Sequence, residues 1–123
     1  MDLTNQTIII VGGGSGIGLG VARSSLARGT HIVLVGRTLA KLERALVTLQ
    51  ASQRGRAIAA DITREAEVAQ LFESAPKVHH VVVTAAALAY QSIRDFQLEA
   101  ARRTVESKIL GALLIAKHAS PRL

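Results

Sequence analysis

The chain has 123 residues, of which 49% are hydrophobic and 20% charged, a balance typical of one globular domain. It contains no cysteine, which excludes disulfides, thiolate metal sites and cysteine nucleophiles. The net charge is +6, but the arginines are scattered and only one tyrosine and two phenylalanines are present, which argues against nucleic acid as a partner.

Apolar runs rich in β-branched residues predict four strands, and helical patterns separate them. The strands are predicted at Thr7–Val11, His31–Val35, Arg56–Ala60 and His79–Thr84. The helices are predicted over Gly16–Arg28, from about Leu39 to about Ser52, around Val68, Leu71 and Phe72, and from about Leu98 to His118.

The apolar residues of the first and last helices predict which of their faces are buried. The first helix is expected to stop at Gly29 and to bury one face, made of Ile17, Val21, Ala22, Ser25 and Leu26. The last helix has two apolar stripes, one with Val105, Ile109, Leu113 and Ala116 and the other with Leu110 and Leu114. One stripe can cover a sheet, and the other is expected to meet a partner.

The alternation of strands and helices predicts the fold class. The strands are continuous apolar runs, which indicates a parallel sheet that is covered on both faces. Repeated strand–helix–strand units of this kind are nearly always right-handed. We therefore expect a doubly wound, Rossmann-type α/β sheet of four strands in the order 3-2-1-4, with a ligand outside the carboxyl ends of the strands.

Residues 11–20, VGGGSGIGLG, directly follow the first strand and are too rich in glycine for an ordinary connection. A phosphate-binding P-loop requires a lysine and a serine or threonine after its last glycine. Gly13 and Gly18 have the separation of a P-loop, but Leu19 and Gly20 follow them. This loop is therefore not a P-loop.

The spacing of the glycines fits a different dinucleotide loop. The pattern G-x-G-x-x-G would place its third glycine at Ile17 or Leu19, so it fails. The longer pattern G-x-x-x-G-x-G is satisfied by Gly12, Gly16 and Gly18. In that loop the first glycine allows the turn, the second allows the backbone to approach a pyrophosphate, and the third allows close packing of a helix whose N-terminus receives the phosphates.

The stretch GGGSGIG after an apolar strand resembles the cofactor loop of the short-chain dehydrogenases/reductases, T-G-x-x-x-G-I-G, with Val11 where the family usually has threonine. The resemblance extends over essentially the whole chain. It implies reversible hydride transfer between a nicotinamide cofactor and a carbonyl or alcohol substrate. The candidate cofactor residues in the loop are Gly12, Gly14, Ser15, Gly16, Ile17 and Gly18.

The end of the second strand predicts which nicotinamide cofactor is used. A carboxylate there would bind the adenosine ribose 2′-hydroxyl and favour NAD, but the chain has Gly36-Arg37-Thr38. The Arg37 guanidinium suits a 2′-phosphate, and Thr38 adds a hydroxyl, so the cofactor is predicted to be NADP(H). The alternative is that Arg37 only caps the strand or pairs with Glu43.

Two further segments are candidates by the resemblance. The family places an adenine-binding aspartate after the third strand, where this chain has Asp61 followed by Ile62. Asp61 could instead cap the next helix. After the fourth strand the family has N-N-A-G, whereas this chain has Thr84 followed by Ala85, Ala86 and Ala87. These small residues leave room for a ribose, although the methyl of Ala87 replaces a glycine.

The resemblance weakens where the catalytic groups are expected. The family's catalytic asparagine in the last helix is replaced by Lys108, and Tyr90 with Arg94 does not form the Tyr-x-x-x-Lys pair or lie in its place. We therefore assign no catalytic residue. Residues 1–123 are interpreted as one NADP-binding domain that stops before the catalytic segment. The alternative is a non-catalytic dinucleotide-binding module, or a fragment that works with a partner chain.

The remaining expectations concern partners and location. A bare edge on the fourth strand and the second stripe of the last helix predict association of identical chains. His79 and His80 point to opposite faces of a strand, so no metal site is expected. The N-terminus does not resemble a signal peptide, and the apolar run at 109–116 is shorter than the roughly 20 residues of a membrane span. A cytoplasmic protein without a membrane contact is expected.

Overall fold

A computed structural model describes residues 1–75, 77–85 and 90–123 of the chain. The strands are β1 (Thr7–Val11), β2 (His31–Gly36), β3 (Gly55–Ala59) and β4 (His80–Val83). The helices are α1 (Gly16–Leu26), α2 (Leu39–Thr48), α3 (Glu65–Ser74), α4 (Leu98–Val105) and α5 (Gly111–Ala119). A π-helical segment, Glu106–Leu110, joins α4 to α5, and 3₁₀ turns occupy Ser52–Arg54 and Ser120–Arg122.

The four strands form one parallel sheet in the order β3-β2-β1-β4, as predicted. Ile9 of β1 pairs with Val33 on one side and with Val81 on the other. The chain therefore adds β2 and β3 along one edge of β1 and later returns to add β4 along the opposite edge. This reversal creates the switch point at the carboxyl end of β1, where ligands bind in sheets of this class.

Helices cover both faces of the sheet, which confirms the predicted architecture. Because successive side chains of a strand point to opposite faces, each strand supplies two cores. One core joins Ile9, Val11, Val33 and Val35 to residues of α3 and α5, including Phe72 and Ile115. The other joins Ile8, Ile10, Ile32 and Leu34 to residues of α1 and α2, including Ala22 and Leu42. These continuous buried runs are why the strands read as apolar throughout.

The buried face of the last helix differs from both predicted stripes. The buried residues are Ser107, Gly111, Ile115 and Ala119, and Leu114 is partly buried against the core. Val105, Ile109, Leu110 and Leu113 are exposed. Close packing explains why these residues are the buried ones. A Cβ on Gly111 would lie 2.8 Å from the Ile62 Cδ1 atom. Small residues let this helix approach the sheet, so the larger ones point away.

The first helix also differs from its prediction. It ends at Leu26, two residues before Arg28, and the chain turns at Gly29 with φ +78°. Ile17 was placed on the buried face, but its side chain is 78% exposed. Gly18, Ala22 and Ser25 are the buried residues of α1. Ile17 stands in the first turn of α1, next to the glycine loop.

Within the residues that the structure describes, no helix is both long enough and apolar enough to cross a membrane. In the same residues, no group of three or more histidine, aspartate or glutamate side chains is placed to hold a metal ion. His79 and His80 instead contact residues at the start of β1. The Nδ1 atom of His79 accepts a hydrogen bond of 3.0 Å from the Thr7 amide, and the His80 ring lies 2.6 Å from the Gln6 side-chain oxygen.

Candidate functional site

The glycine loop after β1 lies between the carboxyl ends of the two strands that flank β1. The Gly12 amide donates to the Val35 carbonyl at 2.8 Å. On the other side, the Thr84 and Ala85 amides donate to the Val11 carbonyl at 2.8 and 3.1 Å. The loop therefore begins at the switch point, where the sequence predicted a ligand.

Close packing explains two of the glycines. Gly12 has φ +91°, and a Cβ there would lie 2.7 Å from both the Ala85 amide nitrogen and the Thr84 Oγ1 atom. A Cβ on Gly18 would lie only 2.2 Å from the Gly12 carbonyl oxygen. The turn expected at Gly12 and the close helix packing expected at Gly18 are therefore both present.

The next part of the loop faces open space. Gly16 has φ +55°, and nothing lies within 4 Å of the position of its missing Cβ. Ser15 precedes α1 as its N-cap residue but makes no side-chain capping bond, and Ile17 is exposed. The first-turn amides of α1 therefore have a free approach, and such helix ends bind phosphate groups well. The shape and the donors fit a pyrophosphate.

A cavity of about 390 Å³ opens beside this loop, at the carboxyl ends of β1, β2 and β3. Five of the predicted site residues line it: Gly12, Arg37, Asp61, Ile62 and Ala85. Gly14, Ser15, Gly16, Ile17, Gly18 and Thr38 do not line this cavity. Ala86 and Ala87 lie outside the described residues.

Arg37 follows β2 directly and is exposed at the rim of the cavity. In the described part of the chain, the ion pairs are Arg64 with Glu67, Arg102 with Glu99, and Glu65 with Lys117 and His118. Arg37 thus forms no ion pair with Glu43, so that part of the alternative considered for it is wrong. Its charge is available to an anion in the cavity.

Asp61 has one carboxylate oxygen engaged locally. Its Oδ1 atom accepts hydrogen bonds from the Thr63 hydroxyl at 2.7 Å and from the Thr63 amide at 3.0 Å. These bonds, together with the positive charges of Arg37 and Arg64, hold the pKa of Asp61 below its ordinary value. The group is therefore ionised at neutral pH and can accept a hydrogen bond from a ligand amino group.

The structure also decides the alternative role proposed for Asp61. The N-cap residue of α3 is Arg64, and no side chain caps this helix. Asp61 instead closes the turn that precedes the helix through Thr63, and its backbone amide donates to the Glu67 side chain at 3.1 Å. The helix-capping role expected as an alternative is wrong.

Ile62 belongs both to the hydrophobic core and to the lining of the cavity. Its side chain is buried in the core and packs against Gly111 of α5, while the residue also lines the cavity. The helix thus fixes the floor of the cavity next to Asp61. An apolar floor beside a carboxylate suits a planar, hydrogen-bonding ring such as a purine.

Several cavity residues were not predicted from the sequence. They include Lys41 of α2, Thr63, and three residues of the last helix, which are Arg103, Glu106 and Ser107. Surface lysines, arginines and glutamates on helices carry no sequence signal that separates a cavity rim from a solvated face. The π-helical segment places Ser107 at the cavity wall, and no periodicity rule predicts such a segment.

The residues near the expected catalytic positions lie in the solvent. Lys108 is exposed within the π-helical segment, beside Ser107 but outside the lining of the cavity. Tyr90 is 89% exposed, and Arg94 is exposed in the irregular segment that precedes α4. These positions give no reason to assign a catalytic role to any of the three.

The fold and the loop geometry define a dinucleotide-binding protein of the Rossmann class, and comparison with known proteins gives its family. Residues 6–123 match the family described as short chain dehydrogenase. The chain belongs to the short-chain dehydrogenase/reductase family.

Individual relatives agree with this family. A short-chain dehydrogenase/reductase from Acremonium sp. is 29% identical over 137 residues, which cover 98% of this chain and 52% of the relative. A short-chain type dehydrogenase/reductase from Mycobacterium ulcerans has a TM-score of 0.91 and 33% identity, with 99% of this chain and 48% of that one covered. A 3-ketoacyl-(acyl-carrier-protein) reductase from Brucella melitensis, complexed with NADH, has a TM-score of 0.89 and 29% identity, with 98% and 51% covered. The chain thus spans about half the length of these relatives.

Proposed function

We propose that this chain is the cofactor-binding part of an NADP(H)-dependent oxidoreductase, which transfers hydride between the nicotinamide and a carbonyl or alcohol substrate. One observation carries the cofactor assignment: Arg37 borders the cavity at the end of β2 and forms no ion pair among the described residues. Membership of an oxidoreductase family favours this function over a non-catalytic binding module.

Each part of the cofactor has candidate residues in the site. The pyrophosphate would lie against Ser15, Gly16 and the first turn of α1, where the loop is open. The adenine would lie between Asp61 and Ile62, and the adenosine ribose near Ala85. When bound, the nicotinamide supplies the hydride chemistry, and the protein supplies binding and orientation.

The choice of NADP(H) over NAD(H) depends on the 2′-phosphate. The Brucella relative was solved with NADH, so its family can accept the unphosphorylated cofactor. In this chain, no aspartate or glutamate stands at the end of β2 to receive a ribose hydroxyl, and Gly36-Arg37-Thr38 stands there instead. A guanidinium donates two parallel hydrogen bonds to a phosphate, and this interaction is lost with NADH.

Calorimetric binding of NADPH and NADH to the purified chain tests this preference. We expect NADPH to bind at least about tenfold more tightly, since a charge-assisted phosphate contact contributes on the order of 1.5–3 kcal/mol. The Arg37→Asp variant should reverse the order, because the new carboxylate repels the 2′-phosphate and accepts a hydrogen bond from the 2′-hydroxyl. Arg44→Asp is the control, since Arg44 is exposed on α2 and does not line the cavity.

Two results would decide against the proposal. Equal affinities for the two nucleotides before and after the Arg37 change would remove Arg37 from the site. Failure of the wild-type chain to bind either nucleotide would remove the dinucleotide site itself.

We also propose that two copies of the chain associate through the last helix. Val105, Ile109 and Leu113 recur every fourth residue, and they are 46%, 54% and 62% exposed. Side chains of this size on one helical stripe lose contact with water when they pack against the same stripe of a second copy.

The expected substrate, a small carbonyl or alcohol, is a further part of the proposed function.

A further inference from the structure

A second cavity, of about 320 Å³, lies at the amino ends of β1, β2 and β3, whereas the first cavity lies at their carboxyl ends. Its polar lining residues come from these strands and from the 3₁₀ turn before β3, and they are Thr7, His31, Gln53, Arg54 and Arg56. Among the described residues, none lines both cavities. The amino-end cavity is therefore a separate place on the molecule.

The polar side chains of the amino-end cavity have no partner within the described part of the chain. Neither a side-chain hydrogen bond nor an ion pair is found there for the five residues named above. Thr7 is the most enclosed of them, with only 7% of its surface exposed. Polar groups buried to this degree are normally hydrogen-bonded, so the Thr7 hydroxyl indicates a partner that the cavity receives from outside the chain.

The charge of the amino-end cavity is positive. Arg54 and Arg56 supply two guanidinium groups, and no aspartate or glutamate among the described residues lines the cavity. The register of β3 with β2 places Arg56 beside Val33. The Arg54 Nη1 atom lies 3.4 Å from the position that a Cβ of Gly29 would occupy, next to the start of β2. Two cations on neighbouring parts of one cavity attract an anion with two negative charges, and guanidinium groups match the oxygens of a phosphate.

The rest of the lining is apolar. Ile32 and Val33 of β2 complete the amino-end cavity, and both are almost fully buried. Val33 also belongs to the core under α3 and α5, so this part of the cavity is held in place by the fold. Small-molecule sites combine an apolar lining with a few polar groups in the same way. A ligand that uses the whole cavity therefore has a charged group and a small apolar body.

We propose that the amino-end cavity binds a small organic phosphate ester, as a second ligand site that is independent of the dinucleotide. Arg54 and Arg56 hold the phosphate, and the Gln53 amide and the Thr7 hydroxyl donate hydrogen bonds to its remaining oxygens. The organic part of the ester contacts the apolar residues of β2. A phosphate ester fits better than a carboxylate, because a single negative charge would leave one of the two guanidinium groups without a partner.

Nuclear magnetic resonance titration of the ¹⁵N-labelled chain with phenyl phosphate tests this site. We expect saturable shifts of the backbone amides of Thr7, His31 and Gln53. Shifts of the Gly16 and Gly18 amides report on the first cavity separately. Inorganic phosphate and benzyl alcohol each carry only one half of the probe, so their dissociation constants at the amino-end amides should be at least about fivefold higher.

Arginine variants assign the binding to this cavity. Arg56→Gln should raise the dissociation constant of phenyl phosphate about fivefold, since an exposed cation is partly screened by solvent. The Arg54→Gln, Arg56→Gln double variant should lose the saturable shifts. Arg23→Gln is the matched control, because Arg23 is exposed on α1 and lines neither cavity. All of these side chains are exposed, so the variants should keep the far-UV circular dichroism spectrum of wild type.

Three results would overturn the proposal. The first is the absence of saturable shifts at the amino-end amides in wild type. The second is an equal dissociation constant of phenyl phosphate in wild type and in the folded double variant. The third is binding of benzyl alcohol or inorganic phosphate as tight as that of phenyl phosphate, because half of the ligand would then suffice. Failure of the chain to bind NADPH would count against the proposed function alone, since the two cavities share no described residue.

Discussion

At the scale of single residues, three glycines of the loop meet three different physical requirements, which the sequence alone does not distinguish. Gly12 is fixed by its backbone conformation and by contact with Thr84 and Ala85. Gly18 is fixed by contact alone, because its neighbour is the rigid carbonyl of Gly12. Gly16 meets no protein atom, so a left-handed backbone and room for a ligand are the requirements that remain.

The Gly18→Ala substitution should therefore destabilise the fold. The added methyl carbon would stand 2.2 Å from a backbone oxygen and 2.8 Å from the Thr84 Oγ1 atom, so β1, α1 and the end of β4 must separate. We expect the free energy of unfolding to fall by about 2–4 kcal/mol. Urea unfolding followed by far-UV circular dichroism measures this change.

Gly20→Ala is the matched control on the same helix. Nothing lies within 4 Å of the position of its Cβ, and its backbone is helical. Alanine should increase the free energy of unfolding by about 0.5–1 kcal/mol, because it restricts the unfolded chain more than glycine does. Destabilisation of similar size in both variants would contradict the role assigned to Gly18.

Residue types also explain what the sequence could and could not predict about the site. Gly12 was predicted from the spacing of the glycines, Arg37 from its place at the end of β2, and Asp61 from the family resemblance; the structure brings all three to one cavity. Lys41 and Arg103 were not predicted, because charged residues are the normal occupants of helix surfaces. Their place at the cavity depends on how α2 and the last helix are oriented, which is a property of the whole fold.

At the scale of elements, the strands were predicted well and the helical faces less well. The predicted bounds of β1 coincide with the observed strand, since a central strand is apolar along its whole length. A helix buries only one stripe of residues. When a second stripe is also apolar, the sequence does not show which of the two is buried. In the last helix, a π-helical segment changes the register between α4 and α5, and the small residues Ser107 and Gly111 face the core.

Glu65, Lys117 and His118 form an ion-pair cluster that links α3 to α5. The Glu65 Oε1 atom accepts hydrogen bonds from the Lys117 ammonium and from the His118 Nε2 atom, the latter at 3.0 Å. These bonds and the adjacent positive charges hold the pKa of Glu65 below its ordinary value. A carboxyl whose folded pKa is depressed stabilises the fold above its unfolded pKa, and this stabilisation disappears as the pH falls through the folded value.

We therefore expect Glu65→Gln to lose part of the acid dependence of stability. In wild type, the urea midpoint should decline as the pH falls below about 4.3, the ordinary glutamate value. The variant should show a shallower decline in that window and a slightly lower midpoint at neutral pH. Glu73→Gln, which changes an exposed glutamate at the other end of α3, should follow wild type. Identical profiles for the Glu65 variant and wild type would show that this link contributes nothing.

At the scale of the whole molecule, the apolar surface is distributed unevenly. β4 has β1 as its neighbour in the described sheet, and Val83 at its end is exposed. The stripe of Val105, Ile109 and Leu113 adds a second apolar area on the last helix. The proposed contact between two copies would cover part of this apolar surface.

The proposed association predicts a mass of two chains in light scattering coupled to size exclusion. The Ile109→Glu, Leu113→Glu double variant should elute as a single chain, because burial of two carboxylates at the contact is unfavourable. Ile93→Glu is the control, since Ile93 is 91% exposed in the segment before α4 and lies off the helical stripe. A wild-type chain that remains monomeric at all concentrations would refute the proposal.

The order of the strands also constrains how the molecule folds. β2 follows β1 after a single helix, whereas the bond between Thr7 and His79 at the start of β4 spans 72 residues. Closing the longer loop costs more entropy before native contacts repay it, so we expect the pairing of β1 with β2 to form before the pairing with β4. In that order, the half of the site that holds the glycine loop and Arg37 forms first. The half that closes at Thr84 and Ala85 follows when β4 pairs with β1.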